Sequence, residues 1–155
     1  MKKQKTFDIV GREGVGWFYS DIVKDHFFHP RNLLLKDPRR GEFNAIGVDG
    51  SMACGDIMKM WVKIEPKTER IKDVKWRTFG CASAIAATSM YSLMLAENGG
   101  KTVKQALKIK PQDVIKRLGG LPSRKIHCSV LADRAFRKAI NNYFKRPKQV
   151  NRIIK

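Results

Sequence analysis

The sequence predicts an α+β fold in which a small three-stranded antiparallel sheet packs with about five helices. A two-residue apolar alternation in the middle of the chain indicates strands, and the nearly all-apolar stretch after it indicates a buried helix. Capping residues, glycines and prolines bound several further helical segments. At 155 residues the chain fits one domain. We place that domain at 19–146, between a flexible N-terminal extension at 1–18 and a basic C-terminal tail at 147–155.

The first helix is predicted from its boundaries. The extension before it contains three glycines and no stable apolar period. Ser20 can cap a helix that runs through about Phe28, with Ile22, Val23 and His26 on its apolar side, and Pro30 ends it. A loop rich in Lys, Pro, Arg and Gly follows.

The middle of the chain predicts an antiparallel meander. In residues 58–64 every second side chain is apolar, and the residues between them, which include Trp61, are predicted to face solvent. This alternation indicates a strand with one buried and one solvent-facing side. After a turn at 66–70, the segment 71–79 predicts a second strand, and 43–48 is a weaker candidate for a third. The short connections favour antiparallel neighbours.

Three helices are predicted between residues 82 and 119. The segment 82–96 is apolar on nearly every side, as expected of a buried central helix. Thr102 and Gln105 form a capping box for a short helix. Pro111 at a first helical position and Gly119 at the far end bracket the next one.

The final predicted helix, 129–144, carries a basic face that belongs to a wider charge asymmetry. Residues 101–155 hold 16 Lys/Arg against 2 Asp/Glu, whereas 41–100 are neutral. This asymmetry favours an acidic partner or solvated helix faces, and no nucleic-acid motif accompanies it. The helix's core stripe is Leu131, Ala135, Ala139, Ile140 and Phe144, and its basic face is Arg134, Arg137, Lys138 and Lys145.

The chain has three cysteines, Cys54, Cys81 and Cys128, separated by 27 and 47 residues. An odd number suits a reducing compartment better than a disulfide framework. Neither a membrane-length apolar run nor an apolar signal core is present, so we expect a cytoplasmic protein that does not enter a membrane. The spacing is too wide for a local zinc knuckle, so any shared metal site must be assembled by the fold.

Each cysteine falls at the boundary of a predicted element: before a strand, between a strand and the central helix, and before the last helix. Thiols at element ends could converge on one ion or cluster, and helix N-termini favour the thiolate. The alternative is that each cysteine packs as a small hydrophobe. Asp56 is either a turn residue or an oxygen ligand, and His127 is either a cap or a further ligand.

Three segments resemble the signature segments of the IscU/NifU iron-sulfur cluster scaffold proteins, in the same order and at similar intervals. They are Ala-Cys-Gly-Asp at 53–56, Thr-Phe-Gly-Cys-Ala-Ser at 78–83 and Ile-His-Cys-Ser at 126–129. The segments 19–32 and 100–103 also resemble that family. A histidine directly before the last cysteine resembles the IscU/NifU branch rather than the related SufU branch.

This resemblance implies an IscU-like fold and a scaffold that builds a [2Fe-2S] cluster from iron and sulfide. It implies Cys54, Cys81 and Cys128 as cluster ligands, with Asp56 or His127 as the fourth. Cys128 would accept persulfide sulfur from a cysteine desulfurase, and the finished cluster would pass to apo iron-sulfur proteins. It leaves open whether one chain or a dimer holds the cluster.

The resemblance also implies a ferredoxin and an Hsp70-type chaperone as further partners. The family's chaperone-recognition sequence is Leu-Pro-Pro-Val-Lys, whereas residues 121–125 here are Leu-Pro-Ser-Arg-Lys, which weakens the chaperone expectation.

Two other functions compete with the scaffold. A zinc-binding structural or interaction protein could use the same ligands, because Zn²⁺ suits sulfur and nitrogen sites and precedes Fe²⁺ in affinity. A thiol enzyme could use Cys128 with His127, but adjacent residues rarely face each other productively and no oxyanion or substrate motif accompanies them. We therefore expect a carrier and sulfur acceptor rather than an enzyme.

Overall fold

The computed structural model describes residues 9–10, 16–17, 19–52 and 55–145, and it confirms the predicted α+β class. The predicted tail at 147–155 lies outside the described residues. The elements are β1 (Ile9–Val10), β2 (Gly16–Trp17), α1 (Asp21–Phe28), β3 (Ala45–Ser51), β4 (Asp56–Ile64), β5 (Ile71–Phe79), α2 (Ala82–Ala96), α3 (Val103–Ala106), α4 (Pro111–Arg117), a 3-10 helix (Ser123–Lys125) and α5 (Cys128–Phe144).

The main sheet is an antiparallel meander in the order β3-β4-β5. Separately, β1 and β2 form a short antiparallel pair within the N-terminal 18 residues, which the glycine-rich sequence did not predict. In the main sheet, Val62 of β4 lies between Ala45 of β3 and Val74 of β5. All three side chains are buried on the face that meets the helices.

The predicted solvent exposure of Trp61 is wrong, since only 2% of this residue is exposed. Its ring lies on the outer face of the sheet, where the Lys59 ammonium is 4.9 Å and the Arg77 guanidinium 5.4 Å from its centroid. The aliphatic stems of long cationic side chains cover apolar surface, and the charged groups are attracted to the ring face. The alternation in the sequence cannot show such covering by neighbours.

Helices α2 and α5 cover the inner face of the sheet. Helix α2 is buried along most of its length, as its apolar sequence predicts. Gly47 of β3 lies directly under α5, where an added Cβ would come 2.1 Å from the Ala135 carbonyl oxygen. Only glycine therefore allows β3 and α5 to pack this closely.

The segment after α1 attaches to β5 and α2 through a group that we call the Trp76 anchor: His26, Arg31, Asn32, Trp76 and Ser89. The Trp76 indole donates to the Arg31 carbonyl at 2.8 Å, and the backbone N–H of Trp76 donates to the Asn32 carbonyl at 3.1 Å. The Ser89 hydroxyl contacts His26 Nδ1 at 2.7 Å and accepts from the Arg31 amide at 2.8 Å. These bonds attach α1 and the segment after it to β5 and α2, which lie far along the chain.

The predicted helix boundaries agree with the structure. Ser20 caps α1 by accepting from the Val23 amide at 3.1 Å, and Thr102 and Gln105 form the expected capping box. Pro111 opens α4. Helix α5 begins at Cys128, one residue earlier than predicted, and its core stripe is buried.

The basic face of α5 contacts the sheet through a buried carboxylate. Asp49 of β3 is 5% exposed, and it pairs with Arg134 and Lys138 at 2.7 Å each. A buried carboxylate requires such compensation. Two of the predicted solvent-facing cations therefore also join β3 to α5.

In the part of the chain that the structure describes, no helix is both long and apolar enough to cross a membrane.

Candidate metal centre

Asp56, Cys81 and Cys128 meet at one end of the sheet. One ligand atom from each lies within 4.8 Å of the others, and the two Sγ atoms are 3.3 Å apart. Asp56 and Cys81 are 25 residues apart in the chain, and Cys81 and Cys128 are 47 apart. The fold therefore assembles a site that no local spacing could form.

Element ends bring the three residues together. Asp56 begins β4, and β5 runs antiparallel beside it and ends at Phe79, which pairs with Ile57. Cys81 follows as the N-cap residue of α2, and Cys128 is the first residue of α5. Because the first backbone amides of a helix have no partner within the helix, this corner favours anionic groups.

Two glycines make room at this corner. Gly55 has φ +72°, a conformation that side-chain-bearing residues rarely adopt, and it turns the chain into β4. At Gly80 an added Cβ would lie 3.2 Å from Cγ of Asp56 and 3.2 Å from Cβ of Ala84. Glycine directly before Cys81 thus leaves space for the carboxylate beside the thiols.

The donor atoms differ in solvent access. Asp56 is 4% exposed and Cys128 is 1% exposed, whereas Cys81 is partly exposed. The Cys81 amide donates to Oδ2 of Asp56 at 3.4 Å, a long hydrogen bond. Burying a carboxylate is unfavourable without strong partners, so this corner of the fold would gain from a bound cation.

The pKa of the Cys81 thiol is lowered from 9.0 to about 6. A hydrogen bond from Cys128 is the largest cause, and the Ala84 amide and the charge of Lys125 act in the same direction. Burial and the negative charge of Asp56 oppose them. The lowered pKa favours the thiolate form of Cys81, which is the form that binds metal and attacks sulfur.

The other two residues considered as ligands have different placements. Cys54 lies outside the described residues, although its neighbour Gly55 closes a turn by donating to the Ser51 carbonyl at 2.8 Å. His127 is exposed at the N-cap position of α5 and is not one of the three residues whose donor atoms meet.

Exposed apolar side chains lie within two residues of Asp56, Cys81 and Cys128 in the chain, a feature that the sequence did not reveal. Ile57 follows Asp56, Phe79 comes two residues before Cys81, and Ile126 comes two residues before Cys128, and all are exposed. Met52 in the preceding turn is exposed as well. Phe79 and Ile126 belong to the quoted motifs, and Met52 and Ile57 flank the motif at 53–56, so only the fold could show this apolar rim (Met52, Ile57, Phe79 and Ile126).

The donor set suits a thiophilic metal held incompletely by sulfur. Thiolates bind iron-sulfur clusters and zinc, while a carboxylate is a harder ligand that these centres use less often. Two thiols and one carboxylate leave room for a further ligand. The described residues can therefore hold iron with sulfide or a zinc ion.

Comparison with known proteins identifies relatives of the chain. The family model described as NifU-like N terminal domain matches residues 18–150. The chain is 44% identical over 135 residues to iron-sulfur cluster assembly scaffold protein IscU 1 of Archaeoglobus fulgidus, covering 87% of this chain and 82% of that protein. It is 39% identical over 138 residues to scaffold protein IscU of Aquifex aeolicus, covering 88% and 83%.

A solved structure shares the fold. The N-terminal part of a nitrogen-fixing NifU-like protein from Brucella abortus superposes with a TM-score of 0.53, covering 82% of this chain and 94% of that one. The sequences are 14% identical, so this likeness concerns the fold alone.

Proposed function

The chain belongs to the NifU-like N-terminal domain family, and we propose that it is a scaffold on which iron and sulfide are assembled into a [2Fe-2S] cluster for transfer to other proteins. The convergence of Asp56, Cys81 and Cys128 is the observation that carries this proposal. Two relatives bear the name iron-sulfur cluster assembly scaffold protein, which supports the same function.

The proposed cluster ligands are Cys54, Cys81, Cys128 and Asp56. Asp56 is favoured over His127 as the fourth ligand because its carboxylate is buried beside both described thiols. Cys54 enters the set through the family resemblance and its position two residues before Asp56. Iron and sulfide are cargo here, so the protein must hold the cluster firmly enough to build it and loosely enough to release it.

Asp56 supplies a route to release. A carboxylate oxygen is a harder ligand than a thiolate, so its bond to a cluster iron is the weakest of the four in this set. The substitution Asp56→Ala should slow transfer of a preassembled cluster to apo-ferredoxin. The visible absorption of the recipient measures this transfer. Asp73→Ala, which removes a partly exposed carboxylate paired with Lys75 at 3.8 Å, is the matched control. Unchanged or faster transfer from the Asp56 variant would contradict this role.

Cys128 is the proposed acceptor of persulfide sulfur from a cysteine desulfurase. It lies at the N-terminus of α5, in contact with Cys81 and within reach of Asp56, so sulfur accepted there arrives beside the other ligands. The test is mass spectrometry after incubation with a desulfurase and cysteine. One added sulfur atom on Cys128 supports the role, and addition only to other cysteines would contradict it.

The desulfurase is proposed to present an acidic face. A groove of about 640 Å³ lies beside α5. It is lined by Ile46, Val48, Lys59, Lys138, Lys145 and two asparagines. Cationic clusters speed encounter with an acidic partner, and salt weakens this effect because the screening length falls from about 30 Å at 0.01 M to about 3 Å at 1 M. Binding of desulfurase that does not change over this range would contradict the electrostatic part of the proposal.

The remaining proposed partners are apo iron-sulfur proteins that receive the cluster, a ferredoxin that supplies electrons, and an Hsp70-type chaperone. The apolar rim offers a surface for protein partners next to the cargo. The segment that would meet the chaperone includes the 3-10 helix Ser123–Lys125, which follows Pro122.

The decisive experiment is anaerobic reconstitution with Fe²⁺, cysteine and a desulfurase, followed by absorption spectroscopy and metal and sulfide analysis. The proposal predicts a coloured protein with about equal iron and sulfide, and transfer of both to apo-ferredoxin. A protein that forms no cluster, keeps zinc tightly and accepts no sulfur would instead be a structural zinc protein.

A further inference from the structure

We propose that Cys81 is the resolving thiol that converts persulfide sulfur on Cys128 into sulfide. The inference rests on the proposed function in one respect, namely that Cys128 accepts persulfide sulfur. It adds the step by which sulfur at the oxidation level of a persulfide becomes the sulfide that a cluster contains, and it assigns that step to a residue of this chain.

The geometry of the two thiols carries the inference. The Sγ atoms of Cys81 and Cys128 are 3.3 Å apart, in direct contact. A disulfide bond measures about 2.05 Å, so the two sulfurs need to approach by only about 1.2 Å to form one. Cys81 is the N-cap residue of α2 and Cys128 begins α5, so both are held by the ends of packed helices. The fold therefore presents one thiol to the sulfur atom of the other.

The reaction balances without an additional reagent. The sulfur of Cys81 attacks Sγ of the Cys128 persulfide, a bond forms between the two Sγ atoms, and the bond from Cys128 Sγ to the outer sulfur breaks. The outer sulfur leaves with the bonding electron pair and its own proton as hydrosulfide, so the Cys81 thiolate and the Cys128 persulfide give one disulfide and one hydrosulfide. The outer sulfur is thereby reduced, and the two cysteines are oxidised to a disulfide.

Attack at the other sulfur of the persulfide would have a different outcome. If Cys81 attacked the outer sulfur, the persulfide would move to Cys81 and no sulfide would be released. The contact in the structure is between the two Sγ atoms, which favours attack on the inner sulfur. Hydrosulfide is also a good leaving group, since thiol exchange is faster when the leaving sulfur has a low pKa.

The disulfide must be reduced before either cysteine can bind iron. Both thiols are restored by two electrons and two protons. A dithiol can supply all of them, or two reduced ferredoxins can supply the electrons and water the protons. The resolving step thus couples sulfide release to a temporary loss of two of the proposed ligands. Reduction then restores the two ligands, which can bind iron together with the sulfide already released.

The test follows sulfide and disulfide in the wild-type protein and in Cys81→Ser, with no thiol present other than the cysteine that serves as the desulfurase substrate. Each protein is loaded anaerobically by a desulfurase and cysteine, separated from both, and divided for two measurements. Sulfide is trapped with monobromobimane, and peptide mass spectrometry maps persulfides and disulfides. A parallel sample is loaded with inorganic polysulfide, so that sulfur delivery does not depend on the desulfurase.

The inference predicts that wild-type protein releases about one sulfide for each Cys81–Cys128 disulfide formed. Cys81→Ser should retain the added sulfur on Cys128 and release sulfide at least about tenfold more slowly. Equal release from both proteins, or a disulfide that joins Cys54 to Cys128, would overturn the inference. If the desulfurase loads Cys128 in neither protein while polysulfide loads it in both, the proposed sulfur donor is wrong and the polysulfide sample decides the inference.

Discussion

The Trp76 anchor and the metal centre both bury polar groups, but they use them differently. In the anchor, the Ser89 hydroxyl contacts two partners at 2.7 and 2.8 Å, and the Trp76 indole donates at 2.8 Å. In the metal centre, the Asp56 carboxylate is held by a 3.4 Å bond, and the thiols of Cys81 and Cys128 contact each other. Buried polar groups that make short hydrogen bonds stabilise the fold. Buried ligand atoms whose hydrogen bonds are long, or that contact each other, remain available to bind a ligand.

This difference separates stability from cargo binding. Changes in the anchor should lower the free energy of unfolding while the folded protein still binds cluster, because the anchor shares no residue with the centre. Changes in the centre should reduce cluster binding and leave the free energy of unfolding nearly unchanged.

The largest expected effect on stability is that of Trp76→Ala in the anchor. The side chain is fully buried, so its removal leaves a cavity and should lower the free energy of unfolding by about 3–5 kcal/mol. Chemical denaturation measures this loss. Phe28→Ala removes an aromatic ring that is 70% exposed and is the matched control, expected to change stability by less than about 0.5 kcal/mol. Equal losses in the two variants would break the comparison.

A smaller effect is expected for Ser89→Ala. The substitution leaves His26 Nδ1 and the Arg31 amide without their partner and should destabilise the fold by about 1–3 kcal/mol. Ser123→Ala, at an exposed serine in the 3-10 helix, serves as the control in the same denaturation series. A stability equal to that of wild type would show that these short bonds contribute little.

The smallest effect is a pH dependence that arises from His26 in the anchor. Burial is the main cause that lowers the pKa of His26 below 6.5, and the charges of Arg31 and Arg117 add to it while Asp25 opposes it. The unfolded chain therefore takes up a proton more readily, so stability is fully present above about pH 6.5 and falls as the pH falls toward the folded-state pKa.

The slope of this pH dependence is at most about 1.4 kcal/mol per pH unit for one proton. Thermal unfolding between about pH 7.5 and 5.5 should show a steeper loss in wild type than in His26→Gln. Parallel profiles would mean that His26 is not the group responsible.

Much of the fold was predictable because its signals are local. Helix α2 is apolar on all sides, and Thr102 with Gln105 forms a capping box within four residues, so sequence patterns locate both elements. The burial of Trp61 was not predictable, because it depends on Arg77 from the neighbouring strand. The role of Gly47 likewise depends on α5, which lies far along the chain.

The meeting of Cys81 and Cys128 was predictable from the sequence, whereas the geometry of the site was not. Placing the cysteines at element ends led to the expectation that they converge, and the structure brings Cys81 and Cys128 into contact. The sequence could not distinguish Asp56 from His127, because both neighbour a cysteine and only the fold shows which side chain is buried. The long-range bond between His26 and Ser89, 63 residues apart, has no signal in either local segment.

The central claim is most directly tested by the iron and sulfide that each chain retains after anaerobic reconstitution and desalting, compared between Cys81→Ser and Ser89→Ala. We predict that Ser89→Ala retains the wild-type amount despite its lower stability. Cys81→Ser should retain at least about tenfold less despite nearly wild-type stability, because it loses a soft ligand of the centre. Full retention by Cys81→Ser, or loss by folded Ser89→Ala, would contradict the account.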